Sequence, residues 1–575
     1  MAKHRLVILE TASIQSYVFR SNRLRENSGA SYLVSSLTGD LAKQVARKVC
    51  QTDINLAGTR ILEATFEQGL PQTNLFVYSG GGNALLMFKT EALAKQFIRM
   101  LSKEALVSAP GLRLMFASTE LDFAADLKAQ VDLGFQTLNA NKAAAPFHSA
   151  RLGMSVTAEC ASTGLPATAW ITAPGEDAGY LASAESYSKW QAGQLANSVL
   201  RKVFPAEGFD YPARLEDLAA DEYSDIAVVH IDGNEINQTF RQLEARDNEA
   251  YLKMLQSYSQ ALGEVASAAL KHAINLLTVA FQDGRFTYET EPVKGKAKEL
   301  LKMRLVESSS ATESNEASYF LPIRPIIFGG DDTTFVCDAR VAHALTVSYL
   351  SSFETLSKEH SVISALIPQG LTASAGIALV KSHYPFARAY ALAEDLTASA
   401  KTAYYEEPEE ALSWLDWHRV QGDTLAPLSE LRDKTFRPGL TLRPVFTSHR
   451  PDVFTNDRFR SWQLIDRQLR AFHDQASPLT QSETFSERRS VLKGLFAQSK
   501  KDRDAVRAYL RQKKLTLPKV WLDTEPLSSD EAASIGYHLR SNHNLFFDAL
   551  ELLDHYAPLE QEPQALLAEL YGVSP

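Results

Sequence analysis

"IIFGGDDTTFV", residues 326–336, joins two apolar runs through two glycines and two adjacent carboxylates. Apolar run, glycine turn, apolar run is the pattern of a β-hairpin, and an Asp pair in such a turn is ordinarily a solvated loop. Two features argue for more than a loop. Asp331 and Asp332 follow the glycines directly between fully apolar strands, where like charges repel unless a cation neutralises them. A third carboxylate, Asp232, ends the neighbouring apolar run "DIAVVHID" at residues 225–232.

Outward from this hairpin, the elements repeat an earlier part of the chain. Residues 225–232 predict a strand, "NEAYLKMLQSYSQALGEVASAALKHAINLL" a long helix, "VAHALTVSYLSSFETLSK" a second helix, "LTASAGIALV" a strand and "PFARAYALAEDLTASAKTAYYEE" a closing helix. The same order opens the chain, with "RLVILETA", a helical stretch through "SGASYLVSSLTGDLAKQVARKV", the hairpin "NLFVYSGGGNALLMF" (74–88), a helix and "LRLMFAST". Two copies of a β-α-β-β-α-β unit, the ferredoxin-like order, are therefore expected, and their wide separation makes them duplicated domains. The fold class is α+β: a first unit at 1–140, a small linker domain at 141–222, a second unit at 223–424 and a helical domain at 425–575. "ESSSATESNEAS", within 307–318, reads as a mobile loop because it offers little to bury.

Composition narrows the function classes. The 575 residues, 45% hydrophobic and 22% charged, can fill several globular cores, and a net charge of −10 gives no general attraction to nucleic acid. Cys50, Cys160 and Cys337 are too few and too scattered for a disulfide framework, so a cytoplasmic setting is expected. No apolar window approaches the roughly 18 residues of a membrane span, and residues 1–20 lack a signal-peptide pattern. GxSxG, HExxH and GxxxxGK[ST] motifs are absent, which removes serine hydrolase, zincin and P-loop chemistry. An "HD" pair at His473–Asp474 lacks further suitably spaced ligands and reads as helix surface.

The first strand of a β-α-β-β-α-β sheet lies beside the central hairpin, so Asp232 is expected to meet Asp331 and Asp332. Three carboxylates on one spot suit Mg²⁺ or Mn²⁺, and two such ions activate an attacking hydroxyl and stabilise leaving pyrophosphate. The first hairpin has Gly82 and Asn83 where the second has acids, and Glu10 at its strand end reads as structural. Lys401 on the closing helix is a candidate phosphate contact, and Arg20, Arg23 and Arg25 form a weaker one.

The stretches "SIQSYVFRSNRLRENSGASYL" (13–33), "YSGGGNALL" (78–86), "STGLPA" (162–167), "IDGNEI" (231–236), "FGGDDT" (328–333) and "LAEDLTASAK" (392–401) occur in a family's order. The chain resembles the large subunit of type III CRISPR effector complexes, the CRISPR polymerase, over roughly residues 1–410. That resemblance implies two facing palm domains that join ATP into cyclic oligoadenylate second messengers when target RNA is bound. It implies that Asp232, Asp331 and Asp332 hold two metal ions, that Gly329 and Gly330 lie against nucleotide, and that Lys401 touches phosphates. Ser79, Gly80, Gly81, Gly82 and Asn83 would then hold a second ATP. Guide RNA, target RNA and other effector subunits are the implied partners.

Two departures stand out. The first strand begins at Arg5, leaving no room for the HD nuclease domain of many relatives, so DNA cleavage is not expected. Only Cys160 remains near the site of the family's zinc-binding cysteines, so zinc is not expected either. Two other functions compete: a non-catalytic scaffold binding RNA and subunits, suited by the basic stretch "RRSVLKGLFAQSKKDR", and a standalone cyclase making a cyclic dinucleotide.

Overall fold

A computed structural model of the chain describes residues 4–51, 54–55, 66–67, 70–71, 73–145, 156–172, 179–218, 225–281, 283–289, 299–308, 318–407, 411–422, 426–447, 460–473, 485–515, 517, 537 and 543–559. The apolar runs read as strands assemble into two sheets. In the first the order is Ile54–Asn55, Asn74–Gly80, Asn83–Phe88, His4–Ala12, Arg113–Leu121. In the second it is Ile323–Ile327, Asp332–Asp338, Asp225–Gly233, Ala373–Lys381, Ser413–Arg419, Val445–Thr447. Each unit thus sets its own first strand between the hairpin and the last strand, giving two palms of one topology. The sixth strand of the second sheet, Val445–Thr447, comes from beyond residue 424 and pairs antiparallel with Ser413–Arg419. The "ESSSATESNEAS" loop lies outside the described residues except at its ends, Glu307–Ser308 and Ser318–Phe320, which pair as strands.

Both sheets are covered on both faces, which is why their central strands are nearly continuous apolar runs rather than alternating ones. Successive side chains still point to opposite faces, and the two palms share their cores crosswise. Leu6 and Ile8 of the first palm lie in one core with Ala227, Val229 and Ile231 of the second. Val7 and Leu9 lie in the other with Ile226 and Val228. Glu10 and Asp232 end the corresponding strands, so equivalent positions face opposite cores. The palms are therefore turned about an axis between them, as in a pseudo-dimer.

The closing helix of each palm, Leu127–Ala144 and Phe386–Glu406, starts at that junction. The first N–H of each helix has no partner within its own helix and must find one elsewhere. Leu127 N donates to Asn248 Oδ1 of the second palm at 3.0 Å, and Phe386 N donates to Asn22 Oδ1 of the first at 2.9 Å. Asn248 also donates Nδ2 to the carbonyls of Phe123 and Ala125, each at 2.9 Å. Buried Gln256, on the 33-residue helix Asn248–Ala280, adds a bond from Nε2 to Val77 O at 3.1 Å. Each palm thus fixes the starting point of the other's last helix.

The linker region is held by its helix Ala184–Val203, which crosses Leu24–Thr38 of the first palm. A Cβ on Gly29 would lie 1.8 Å from Lys189 O, and one on Gly193 would lie 2.6 Å from Arg25 Cγ, so only paired glycines allow this approach. In the C-terminal region, helices Trp462–His473, Phe485–Ser499, Arg503–Lys513 and Phe547–Leu552 gather beside the second sheet. Their junction encloses Arg443, which donates to Asp548 at 2.9 Å and Glu551 at 2.7 Å; a buried guanidinium requires such partners. Asp474 lies outside the described residues, so only His473 of the "HD" pair is seen, at a helix end.

Replacing Asn248 by Ala removes one acceptor and two donated bonds and is expected to lower stability by about 1–2 kcal/mol, against about 0.5–1 kcal/mol for Asn22→Ala. Urea unfolding followed by circular dichroism measures both, and a wild-type midpoint for Asn248→Ala would remove its capping role.

Candidate functional site

The strand register decides which carboxylates meet. Asp232 stands directly opposite Asp332, and His230, two residues earlier on the same face, stands opposite Thr334. Asp331 belongs to the turn: its carbonyl accepts from Gly233 N at 3.1 Å, while it lines a cavity between the palms. The three acids therefore adjoin one another, but not as a ready cage. Among the described residues no three His, Cys, Asp or Glu side chains are gathered around one point as a metal site. This corrects the expected convergence on one spot. Adjacent residues at a strand end point to opposite sides, so Asp332 follows Asp232 and Asp331 does not.

Each acid answers its neighbours' charge differently. Lys401 Nζ donates to Asp232 Oδ2 at 2.6 Å and to Gly233 O at 3.2 Å. Lys401 was expected on phosphate; here it is the counter-ion of Asp232. His230 Nδ1 lies 3.3 Å from Asp332 Oδ1 and 3.1 Å from Thr334 Oγ1. Burial opposes the imidazolium, but Asp332, with Asp232 and Glu394 beyond it, outweighs burial and raises the His230 pKa above its ordinary value. Asp331 has no such cation in contact. Burial, then the charges of Asp232 and Asp332, push its pKa up to about 6. This is uncompensated negative charge on an all-oxygen donor set, which fits a hard divalent cation such as Mg²⁺ or Mn²⁺.

The two glycine turns face each other across the junction. A Cβ on Gly330 would lie 3.7 Å from Gly81 N and 3.8 Å from Gly81 Cα. Beside them opens a cavity of about 800 Å³, within the range of small-molecule sites. Of the expected site residues it gathers Ser79, Gly80, Gly81 and Asn83 from the first palm and Gly329, Gly330 and Asp331 from the second. Asp232, Asp332 and Lys401 are not among its lining, since they face the helix Phe386–Glu406 side of their sheet. Gly82 also turns away from it. Its carbonyl accepts from Thr11 N at 2.9 Å and Thr11 Oγ1 at 3.0 Å, and its α-carbon faces Ile14. Arg20, Arg23 and Arg25 hold the linker instead: Arg20 pairs with Glu185 at 3.1 Å, Arg23 stacks over Tyr180 at 3.7 Å, and Arg25 over Trp190 at 4.2 Å.

Several residues at these sites were not singled out in the sequence. Period-two alternation from Asp232 would have found His230. Aligning "ETASIQ" (10–15) with "DGNEIN" (232–237) would have matched Gln15 to Asn237, the latter lining the cavity. Both segments carry a left-handed residue at the same place, Ser13 and Glu235, each with φ of 58°. Counting along the closing helices would have matched Lys401 to Lys142: each is the sixteenth residue of its helix.

Topology, crosswise cores and paired glycine turns define a two-palm protein. Residues 225–407 match the family model for Cas10/Cmr2, second palm domain. No match was found among curated proteins. Among solved structures, a Csm1–Csm4 cassette in complex with pppApA aligns at 12% identity over 96% of this chain and 69% of that chain, with a TM-score of 0.49. A Csm1–Csm4 cassette in complex with cA4 aligns at 11% over 96% and 70%, TM-score 0.49, and Csm1 in T. onnurineus at 12% over 96% and 69%, TM-score 0.45. No described helix is long and apolar enough to cross a membrane.

The two turn glycines separate by substitution. Gly81 (φ 56°) has open space where a Cβ would go, so Gly81→Ala is expected to cost about 1–2 kcal/mol of backbone strain alone. Gly82 (φ 78°) would place a Cβ 2.5 Å from Ile14 Cδ1 and 2.6 Å from Thr11 Oγ1, raising the cost of Gly82→Ala to about 2–4 kcal/mol. Thermal unfolding should rank Gly82→Ala below Gly81→Ala; the reverse order would contradict the turn geometry.

Proposed function

We propose that the chain is a metal-dependent nucleotidyltransferase that joins ATP into cyclic oligoadenylates with loss of pyrophosphate. In this reading it acts in type III CRISPR defence with guide RNA, target RNA and other effector subunits. The single observation that carries the reading is the Asp232–Asp332 register pair, adjoining Asp331 at a glycine turn that abuts the glycine turn of a second palm.

Asp232, Asp331 and Asp332 would hold divalent cations, which when bound lower the pKa of an attacking ribose hydroxyl and neutralise charge on the leaving pyrophosphate. The remaining work falls to the chain itself. Backbone at Gly329 and Gly330, free of side chains, lets phosphates approach closely. Lys401, anchored to a half-exposed carboxylate by a weak pair, is positioned to exchange that contact for a phosphate oxygen. Ser79, Gly80, Gly81 and Asn83 offer hydrogen-bonding groups and open backbone to a second nucleotide. Two nucleotides held from opposite palms would bring one ribose hydroxyl in line with the other's α-phosphate, and such positioning is most of what phosphoryl transfer requires of a protein.

Incubation with ATP and Mg²⁺ or Mn²⁺, with and without guide and target RNA, followed by mass spectrometry of products, tests this. Wild type is expected to yield oligoadenylates and pyrophosphate. Asp331→Ala plus Asp332→Ala should reduce them more than about 100-fold, beyond the loss typical of a merely supporting residue. Equal product from the double variant, or none from wild type under every condition, would sink the proposal.

A further inference from the structure

A second cavity, of about 700 Å³, opens where the first palm, the linker and the chain leading to the second hairpin meet, and it shares no lining residue with the inter-palm cavity. Its volume is that of a small-molecule site. Arg23, Arg25 and Glu26 line it from the start of the first palm's helix Leu24–Thr38, Tyr180 and Trp190 from the linker, and Phe320 from the strand Ser318–Phe320. An occupant would therefore bridge all three parts.

Glu26 is the unusual member of that wall. It is fully buried, and its Oε1 accepts from the Tyr180 hydroxyl at 2.8 Å and from Ser162 Oγ at 3.0 Å, while Oε2 is buried with no hydrogen-bond partner among the described residues. A bare carboxylate oxygen in such a place costs free energy that a donated bond would recover. Trp190 Nε1, from the same wall, is a buried donor likewise without a partner among the described residues. The cavity thus asks for a ligand that both donates and accepts. Charge limits its kind. Arg23 lies 3.7 Å over the ring of Tyr180, the phenol that donates to Glu26, so a cation seated on Oε2 would meet a guanidinium one tyrosine ring away. A neutral N–H donor meets no such repulsion. Arg23 and Arg25 are half-buried plates lying on Tyr180 and Trp190, and guanidinium planes of this kind receive stacked nucleobases. Oε2 has two lone pairs to fill, and guanine is the common base whose Watson–Crick edge carries two neighbouring N–H donors, at N1 and N2, beside an acceptor, O6.

We propose that this cavity is a guanine site, the base donating from N1 and N2 to Glu26 Oε2 and supplying at O6 the acceptor that Trp190 Nε1 lacks. The site needs no metal ion and stands independently of the reading of the palms. An occupant would brace the linker against the first palm and against the chain that feeds the second hairpin.

The test is equilibrium binding of GMP, AMP, CMP and UMP to the full chain, by calorimetry in EDTA. GMP is expected to bind at least about tenfold more tightly than the other three, the discrimination of one good two-bond base contact. Glu26→Gln keeps an oxygen for Tyr180 and Ser162 but turns an amide –NH₂ toward the ligand, and should abolish the preference for GMP, a change that a purely structural role would not produce. Ala213→Trp, which fills the cavity without touching the carboxylate, should remove GMP binding and decides alone if Glu26→Gln fails to fold. Asp331→Ala plus Asp332→Ala should leave GMP binding unchanged. The RNA pentamer UUGUU is compared with GMP: tighter binding of the pentamer makes single-stranded RNA the source of the base, weaker binding makes it the free nucleotide, and either upholds the site. GMP left unbound, bound no more tightly than the other three, or bound with an affinity indifferent to both Glu26→Gln and Ala213→Trp would overturn the proposal and leave the nucleotidyltransferase reading standing.

Discussion

Reciprocal capping of the two closing helices is the constraint on which the site depends. A helix rises about 1.5 Å per residue, so the starting residue sets where the sixteenth arrives, about 22 Å away. Because Asn22 and Asn248 fix those starts from opposite palms, the depth of Lys142 and Lys401 against their strand-end acids is set by the partner palm rather than by their own. A shift of one palm against the other would move a lysine off its carboxylate. The position of charge in each site is thus coupled to the docking of the whole junction.

Arg324 makes that docking hard to alter. It lies on Ile323–Ile327, the strand that feeds the Gly329–Gly330 turn, and is 2% exposed. It donates Nε to Ser28 Oγ of the first palm at 3.1 Å and NH1 to Pro212 O at 3.2 Å, with Asn197 of the linker helix in contact as well. Burial pulls its pKa down to about 10, since none of these partners carries a compensating charge. A guanidinium buried among neutral acceptors tolerates little displacement, because each lost bond leaves a desolvated N–H. The second hairpin is accordingly seated against first palm and linker together, which holds Gly330 beside Gly81.

The sheets and the Asp232–Asp332 neighbourhood were legible in the sequence because they follow from period-two alternation and from one known strand order. Other features were not. Lys401 was recognised as a residue near the chemistry, but its contact with Asp232 depends on the crossing of helix over sheet, which periodicity does not specify. Nothing in the sequence marks Lys142, because Glu10 stands without hairpin acids; its pairing with Glu10 emerges only when helix starts are aligned in space. Arg324 sits in an apolar strand where the pattern predicts a residue of the sheet and gives no hint of three-way contact. For the arginines at 20, 23 and 25 the sequence shows charge suited to phosphate and not the aromatic faces of Tyr180 and Trp190 that receive two of them.

The unequal palms follow from the same physics. Burial, then the charges of Asp232 and Asp332, raise the Asp331 pKa to about 6, so the site is unfavourable without a cation, and this limits how many such turns one junction can hold. Were Gly82 and Asn83 also acidic, the abutting turns would place two such clusters on either side of Gly81 and Gly330. Loss of acids from the first hairpin therefore relieves repulsion where the palms approach most closely. It also leaves the first hairpin's share of the cavity wall, Tyr78, Ser79, Gly80, Gly81 and Asn83, without charge, and an asymmetric pair is the arrangement in which both turns can touch.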